Sequence, residues 1–113
     1  MHELTLAEAI VDLVREQAHK DAFSRVHRVR LAIGALSHVD PSALEFGFEV
    51  VSRGTLAAGA RLEIERPPGT GYCNECEEEI AVTAVGEPCP SCGGYTWTVV
   101  AGDGMRVVDL EVE

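Results

Sequence analysis

Apolar residues near the start of the chain recur at helical spacing. Leu6, Ile10, Leu13, Val14 and Ala18 fall on one side and Glu8, Asp12, Arg15, Glu16 and His19 on the other, which predicts an amphipathic helix. Thr5 is followed three residues later by Glu8, the signature of a capping box, so Thr5 is expected to cap this helix and residues 1–3 to lie outside it. Between Val26 and Gly34 the period changes to two: Val29, Leu31 and Ile33 share one face and Arg28 and Arg30 the other, as in a half-buried strand. A second helix is expected with Asp40 as N-cap, Pro41 as first residue, a stripe of Leu44, Phe48 and Val51, and Gly54 at its end. Leu62 and Ile64 alternate with charged neighbours in another strand, and Val108, Leu110 and Val112 do so in the last one. Gly102, Asp103 and Gly104 carry turn chemistry, from which a hairpin is expected between that last strand and one ending near Val100.

The order helix, strand, helix, strand, insert, strand predicts an α+β fold, two helices packed on a small mixed sheet that the C-terminal strand completes. Pro67, Pro68, Gly69 and Gly71 mark a boundary, so the expected domains are 1–66 plus 103–113 and an inserted module over 67–102. A segment that short has little core of its own, and disulfides or a metal usually supply what is missing.

Composition narrows the functional classes. Nineteen acidic against nine basic residues give a formal net charge of −10, which disfavours nucleic acid and anionic membrane surfaces as partners. Glu3, Glu8 and Asp12 interrupt the N-terminal apolar positions, so no secretory signal or membrane span is expected and the protein is placed in the cytoplasm. In a reducing compartment, four cysteines in two close pairs point to a metal.

Those pairs are Cys73 with Cys76 and Cys89 with Cys92, each Cys-x-x-Cys, with twelve residues between them. Two such knuckles set four thiolates around one ion tetrahedrally, as zinc prefers in structural sites, although iron accepts the same donors. Pro90 and Gly93 suit the second knuckle, Gly93 because it tolerates positive φ. A dithiol oxidoreductase would need one reactive pair at a helix N-terminus beside a strand, whereas the surroundings here read as turns. From Pro67 to Gly102 there is no Lys or Arg, while Glu75, Glu77, Glu78, Glu79 and Glu87 are acidic, so this ribbon repels phosphates and reads as structure or as a protein-docking surface. No Ser-His-Asp set, phosphate-binding glycine loop or paired carboxylates in a recognisable context suggests an enzyme.

At the other end, the His2 imidazole, its backbone amide and the Met1 α-amine can reach one metal through short chelate rings, a nitrogen donor set suited to Ni(II) or Cu(II). The Glu3 backbone, the Glu3 carboxylate or a partner could complete it. His19, His27 and His38 are explained by a helix end, a strand start and a loop.

An opening Met-His-Glu-Leu, Ile33-Gly34-Ala35-Leu36-Ser37, Glu45-Phe46-Gly47-Phe48-Glu49, the two cysteine pairs and a closing Val108-Asp109-Leu110-Glu111-Val112 together resemble the HypA/HybF family of hydrogenase nickel-incorporation proteins over the whole chain. The resemblance implies a nickel metallochaperone that works beside a GTPase accessory protein to load the large subunit of a nickel–iron hydrogenase. Nickel would sit on His2 with Met1 and Glu3 adjoining, and a structural zinc on Cys73, Cys76, Cys89 and Cys92. The rival expectation is a zinc-ribbon adaptor for protein interaction without nickel transfer.

Overall fold

The structure, a computed structural model, describes residues 2–113. Eight elements follow in order: α1 (Glu3–Asp21), β1 (Val26–Ile33), α2 (Pro41–Ser52), β2 (Arg61–Glu65), β3 (Gly69–Cys73), β4 (Glu78–Val82), β5 (Trp97–Ala101) and β6 (Met105–Val112). They make two three-stranded sheets, one in the order β2-β1-β6 and one in the order β4-β3-β5. The chain divides into two compact units, one of Met1–Leu31, Val39–Ile64 and Val107–Glu113, the other of Ala32–His38 and Glu65–Arg106. Among the described residues no helix is long and apolar enough to cross a membrane.

In the first unit α1 packs on α2, and β1 turns Val29 and Leu31 into the core with Ile10, Val14, Leu44 and Phe48, all essentially inaccessible to solvent. Gly47 makes the helix contact close: a Cβ there would lie 3.6 Å from Leu4 Cα and 3.6 Å from Ala7 Cβ. The strand alternation holds, because Arg28 and Arg30 on the other face pair with acids of the neighbouring strands, Arg28 with Glu63 at 3.8 Å and Glu111 at 3.9 Å, and Arg30 with Asp109. Half-exposed pairs of this kind contribute little stability individually.

Asp40 caps α2 as expected, accepting from Ser42 N at 3.0 Å and Ala43 N at 3.3 Å, and Gly54 beyond the helix end has φ +75°. Helix α1 departs from expectation: it begins at Glu3 with His2 as N-cap, so Thr5 sits inside the first turn. The reason is tertiary. The Glu3 carboxylate, only 9% exposed, accepts a hydrogen bond from Asp40 N at 3.0 Å, tying the start of α1 to the cap of α2 and placing an anion where the helix dipole favours one.

The second unit contains the strands around the cysteines. β3 runs antiparallel to both β4 and β5, with Cys73 opposite Glu78 on one side and Trp97 on the other. The expected hairpin between β5 and β6 does not form, since the two strands belong to different sheets. The carbonyls that would begin such a ladder are already taken: Leu36 N donates to Gly102 O at 3.0 Å and Gly34 N to Gly104 O at 2.9 Å, while Gly102 turns the chain at φ +99°. Gly34 has no room for a side chain in this arrangement, because its Cβ would fall 1.9 Å from Gly102 O.

Candidate metal centre

Each cysteine pair is held by a turn that local chemistry dictates. After Cys73 the chain leaves β3, Glu77 N returns to Cys73 O at 2.8 Å, and Glu77 takes φ +54° to enter β4. Around the second pair Gly93 N donates to Cys89 O at 2.8 Å and Cys89 N to Gly94 O at 2.7 Å, with Gly93 at φ +75°, the left-handed conformation expected of it. The loop leading into this turn is pinned twice by Glu87. Its carboxylate accepts from Thr83 N and Oγ1, and that contact with the Thr83 amide holds the carboxyl below its usual range. Its carbonyl accepts from Trp97 Nε1 at 2.7 Å.

The two turns bring all four sulfurs within 4.8 Å of one another. Cys73 Sγ lies 3.7 Å from Cys92 Sγ, and Cys76 Sγ 4.0 Å from Cys89 Sγ. A tetrahedral ion with metal–sulfur bonds of about 2.3 Å requires sulfur–sulfur edges of about 3.8 Å. The donor set therefore fits zinc in kind, number and spacing. Backbone amides already point at the sulfurs, Cys76 N to Cys73 Sγ at 3.5 Å and Ser91 N to Cys89 Sγ at 3.4 Å, the outer contacts that favour thiolates.

Without a cation the cluster cannot ionise evenly. The Cys76 thiol is pushed up to about 12, first by its hydrogen bond with Cys92, then by burial and by Cys73. Cys89 is drawn down to about 7, first by the Cys92 backbone amide and then, against the cost of burial, by that of Ser91. Cys92 is held down by the Gly94 amide, yet its hydrogen bond with Cys73 and its burial raise it on balance. A divalent cation removes this conflict by stabilising all four thiolates together.

The pocket floor was less visible in the sequence. Leu36, Ile80 and Val82 pack with Cys73 and Cys89, and Trp97 covers them from the side. Trp97 packs close against Gly71, whose Cβ would come within 2.6 Å of its ring. Only the alternation of β4 hinted at Ile80 and Val82, and nothing near Leu36 pointed to the cysteines.

The residues proposed for the other metal lie apart in sequence and chemistry. His2 is exposed, its side chain makes no capping hydrogen bond, and its carbonyl accepts from Leu6 N at 2.8 Å. Met1, whose amine completes the expected donor set, lies outside the described residues. His19, His27 and His38 do not join the cysteines in a metal-binding group among the described residues; His27 Nε2 instead pairs with Glu113 Oε1 at 2.9 Å.

Comparison with known proteins covers the chain nearly end to end. A family model described as hydrogenase/urease nickel incorporation, metallochaperone, hypA matches residues 1–112. The hydrogenase maturation factor HypA 2 of Bradyrhizobium diazoefficiens is 51% identical over 113 residues, and HypA of Alkalilimnicola ehrlichii is 48% identical over 113, each alignment covering 100% of both chains. The solution structure of the nickel metallochaperone HypA from Helicobacter pylori superposes with a TM-score of 0.67 at 25% identity, over 99% of this chain and 97% of that one. A second solution structure of a HypA protein gives 0.66 at 26% identity, over 100% and 97%.

Proposed function

This chain belongs to the HypA family of hydrogenase and urease nickel-incorporation metallochaperones, and from that premise we propose that it binds Ni(II) at its N-terminus and helps insert it into the large subunit of a nickel–iron hydrogenase. Its role is carriage, not catalysis, performed in the cytoplasm beside a nickel-insertion GTPase. A structural zinc on Cys73, Cys76, Cys89 and Cys92 would supply the cross-link that the small second unit lacks.

The observation that carries the nickel assignment is the state of His2. It stands exposed at the start of α1, and among the described residues its side chain makes no capping hydrogen bond. Glu3 sharpens the donor set. Its carboxylate is already accepting from Asp40 N, so it is the less available group. Its backbone amide, at the first position of a helix, has no intrahelical acceptor and can be given up to a metal. Imidazole, terminal amine and backbone nitrogens together form a nitrogen-rich set of the kind Ni(II) takes in a plane.

Nickel titration by calorimetry of the wild type, His2→Ala and a variant with two residues added before Met1 tests this. Both changes are expected to remove stoichiometric nickel binding while zinc stays at one per chain. An unaltered nickel affinity in His2→Ala would withdraw the transfer role and leave a zinc-ribbon adaptor; iron in place of zinc on metal analysis would correct the second site alone.

A further inference from the structure

The β2-β1-β6 sheet ends at β6, whose outer edge has no strand beside it among the described residues. Along that edge, between β6 and α1, runs a groove of about 490 Å³. Its walls are mainly apolar, with Leu13 and Phe23 on one side and Val108, Leu110 and Val112 on the other, and Leu13 and Val112 are 45% and 42% exposed. An open sheet edge presents a row of main-chain donors and acceptors to another chain, and an apolar trough beside it receives that chain's alternate side chains. A strand sits about 4.8 Å from its neighbour, whereas a helix needs about 8–10 Å, so the edge suits extended backbone.

Charge selects the occupant. The polar groups along the groove include the carboxylates of Asp21 and Asp109, and no Lys or Arg lines it. Asp109 Oδ1 is buried and has no hydrogen-bond partner, although Oδ2 of the same carboxylate is held by Arg30. Glu111 shares the Asp109 face of the sheet, since both meet arginines of β1 there. A second copy of this chain is a poor fit: its own β6 carries Asp109 and Glu111 and no cation between Val107 and Val112, and each copy bears a net charge of −10.

We propose that the free edge of β6 is a docking site for an extended segment of a partner protein, added as a fourth strand. Apolar residues at every second position of that segment face α1, and Lys or Arg between them face Asp109 and Glu111. The site is independent of nickel and of the cysteines.

The test uses three end-blocked six-residue peptides, alternating lysine with valine, lysine with serine, and glutamate with valine, titrated into the zinc-loaded full chain and followed by amide exchange and amide shifts. The lysine–valine peptide is expected to slow exchange in β6 and shift Leu13 and Phe23, with the other two at least tenfold weaker. Leu13→Trp fills the groove from an exposed position and should weaken binding at least tenfold, while zinc content and the remaining amide spectrum report intact folding. Equal binding of the lysine–serine peptide, effects mapping to β2 or β5, or no effect on β6 at millimolar peptide would overturn the proposal. So would slowed β6 exchange on raising the concentration of the protein alone, which would make the occupant a second copy.

Discussion

Removing the metal from the four cysteines should open one unit and spare the other. The apolar contribution to the core around the cysteines is small, since Leu36, Ile80 and Val82 are the buried aliphatic side chains of that cluster. At about 1.5–3 kcal/mol for each fully buried side chain they contribute roughly 5–9 kcal/mol together. A four-thiolate zinc contributes on the order of 10–16 kcal/mol at neutral pH, so the metal is the larger of the two terms, and its loss leaves four thiols held only by this small apolar cluster and Trp97. The first unit buries Ile10, Val14, Val29, Leu31, Leu44 and Phe48 without any cysteine and should keep its protection. The structure adds a sharper expectation: residues 34–37, more than thirty positions before the first cysteine, should lose protection with β3 to β5, because Leu36 packs against Cys73 and Cys89. Hydrogen exchange read by mass spectrometry, before and after a chelator with the released metal counted, checks both statements. Unchanged exchange in residues 69–101 after full metal release would refute the structural role of the metal. Exchange at 34–37 that stays slow while 69–101 opens would refute the assignment of Leu36 to that core.

Gly69→Ala would put a Cβ 2.3 Å from Leu36 Cδ1 and 2.8 Å from Ala101 O, and is expected to cost the second unit about 1–3 kcal/mol, seen as earlier metal release on heating. Asp40→Ala removes the acceptor for Ser42 N and Ala43 N and should lower stability to urea by about 0.5–2 kcal/mol without changing zinc content. Trp97→Phe keeps an aromatic ring in the cluster but leaves Glu87 O without its donor, an expected loss of about 1–3 kcal/mol confined to the second unit and measurable by local exchange. Zinc uptake should release protons, because free cysteine thiols are mostly protonated at neutral pH and must ionise to bind. Affinity should accordingly fall as pH is lowered, and uptake without acidification of a weakly buffered solution would contradict the thiolate site.

Periodicity placed α2 and the core face of β1, because a helix or strand that buries one face must repeat its apolar residues at 3.6 or 2, and Asp40-Pro41 signals its cap through its own side chain; on α1 it found Ile10 and Val14 but counted Leu13, which is 45% exposed, and passed over the buried Ala7 and Val11. The two Cys-x-x-Cys spacings likewise announced a four-sulfur cluster, since each knuckle is a local turn and needs no distant partner to form. The chelate proposed at His2 can be read from sequence because it calls only on adjacent atoms. What the chain order did not reveal depends on contacts between residues far apart. Thr5 and Glu8 form a sound capping box on paper, yet α1 starts earlier because Glu3 finds Asp40 N, thirty-seven residues on, and a local motif cannot register that bond. Gly102-Asp103-Gly104 has the composition of a hairpin turn, but the carbonyls of Gly102 and Gly104 go to Leu36 and Gly34, and that competition sends β5 and β6 to different sheets. The open edge of β6 belongs to the same class of fact: alternation says that a strand has one buried face, but only the pairing of the whole chain decides which strands end at the sheet's edge.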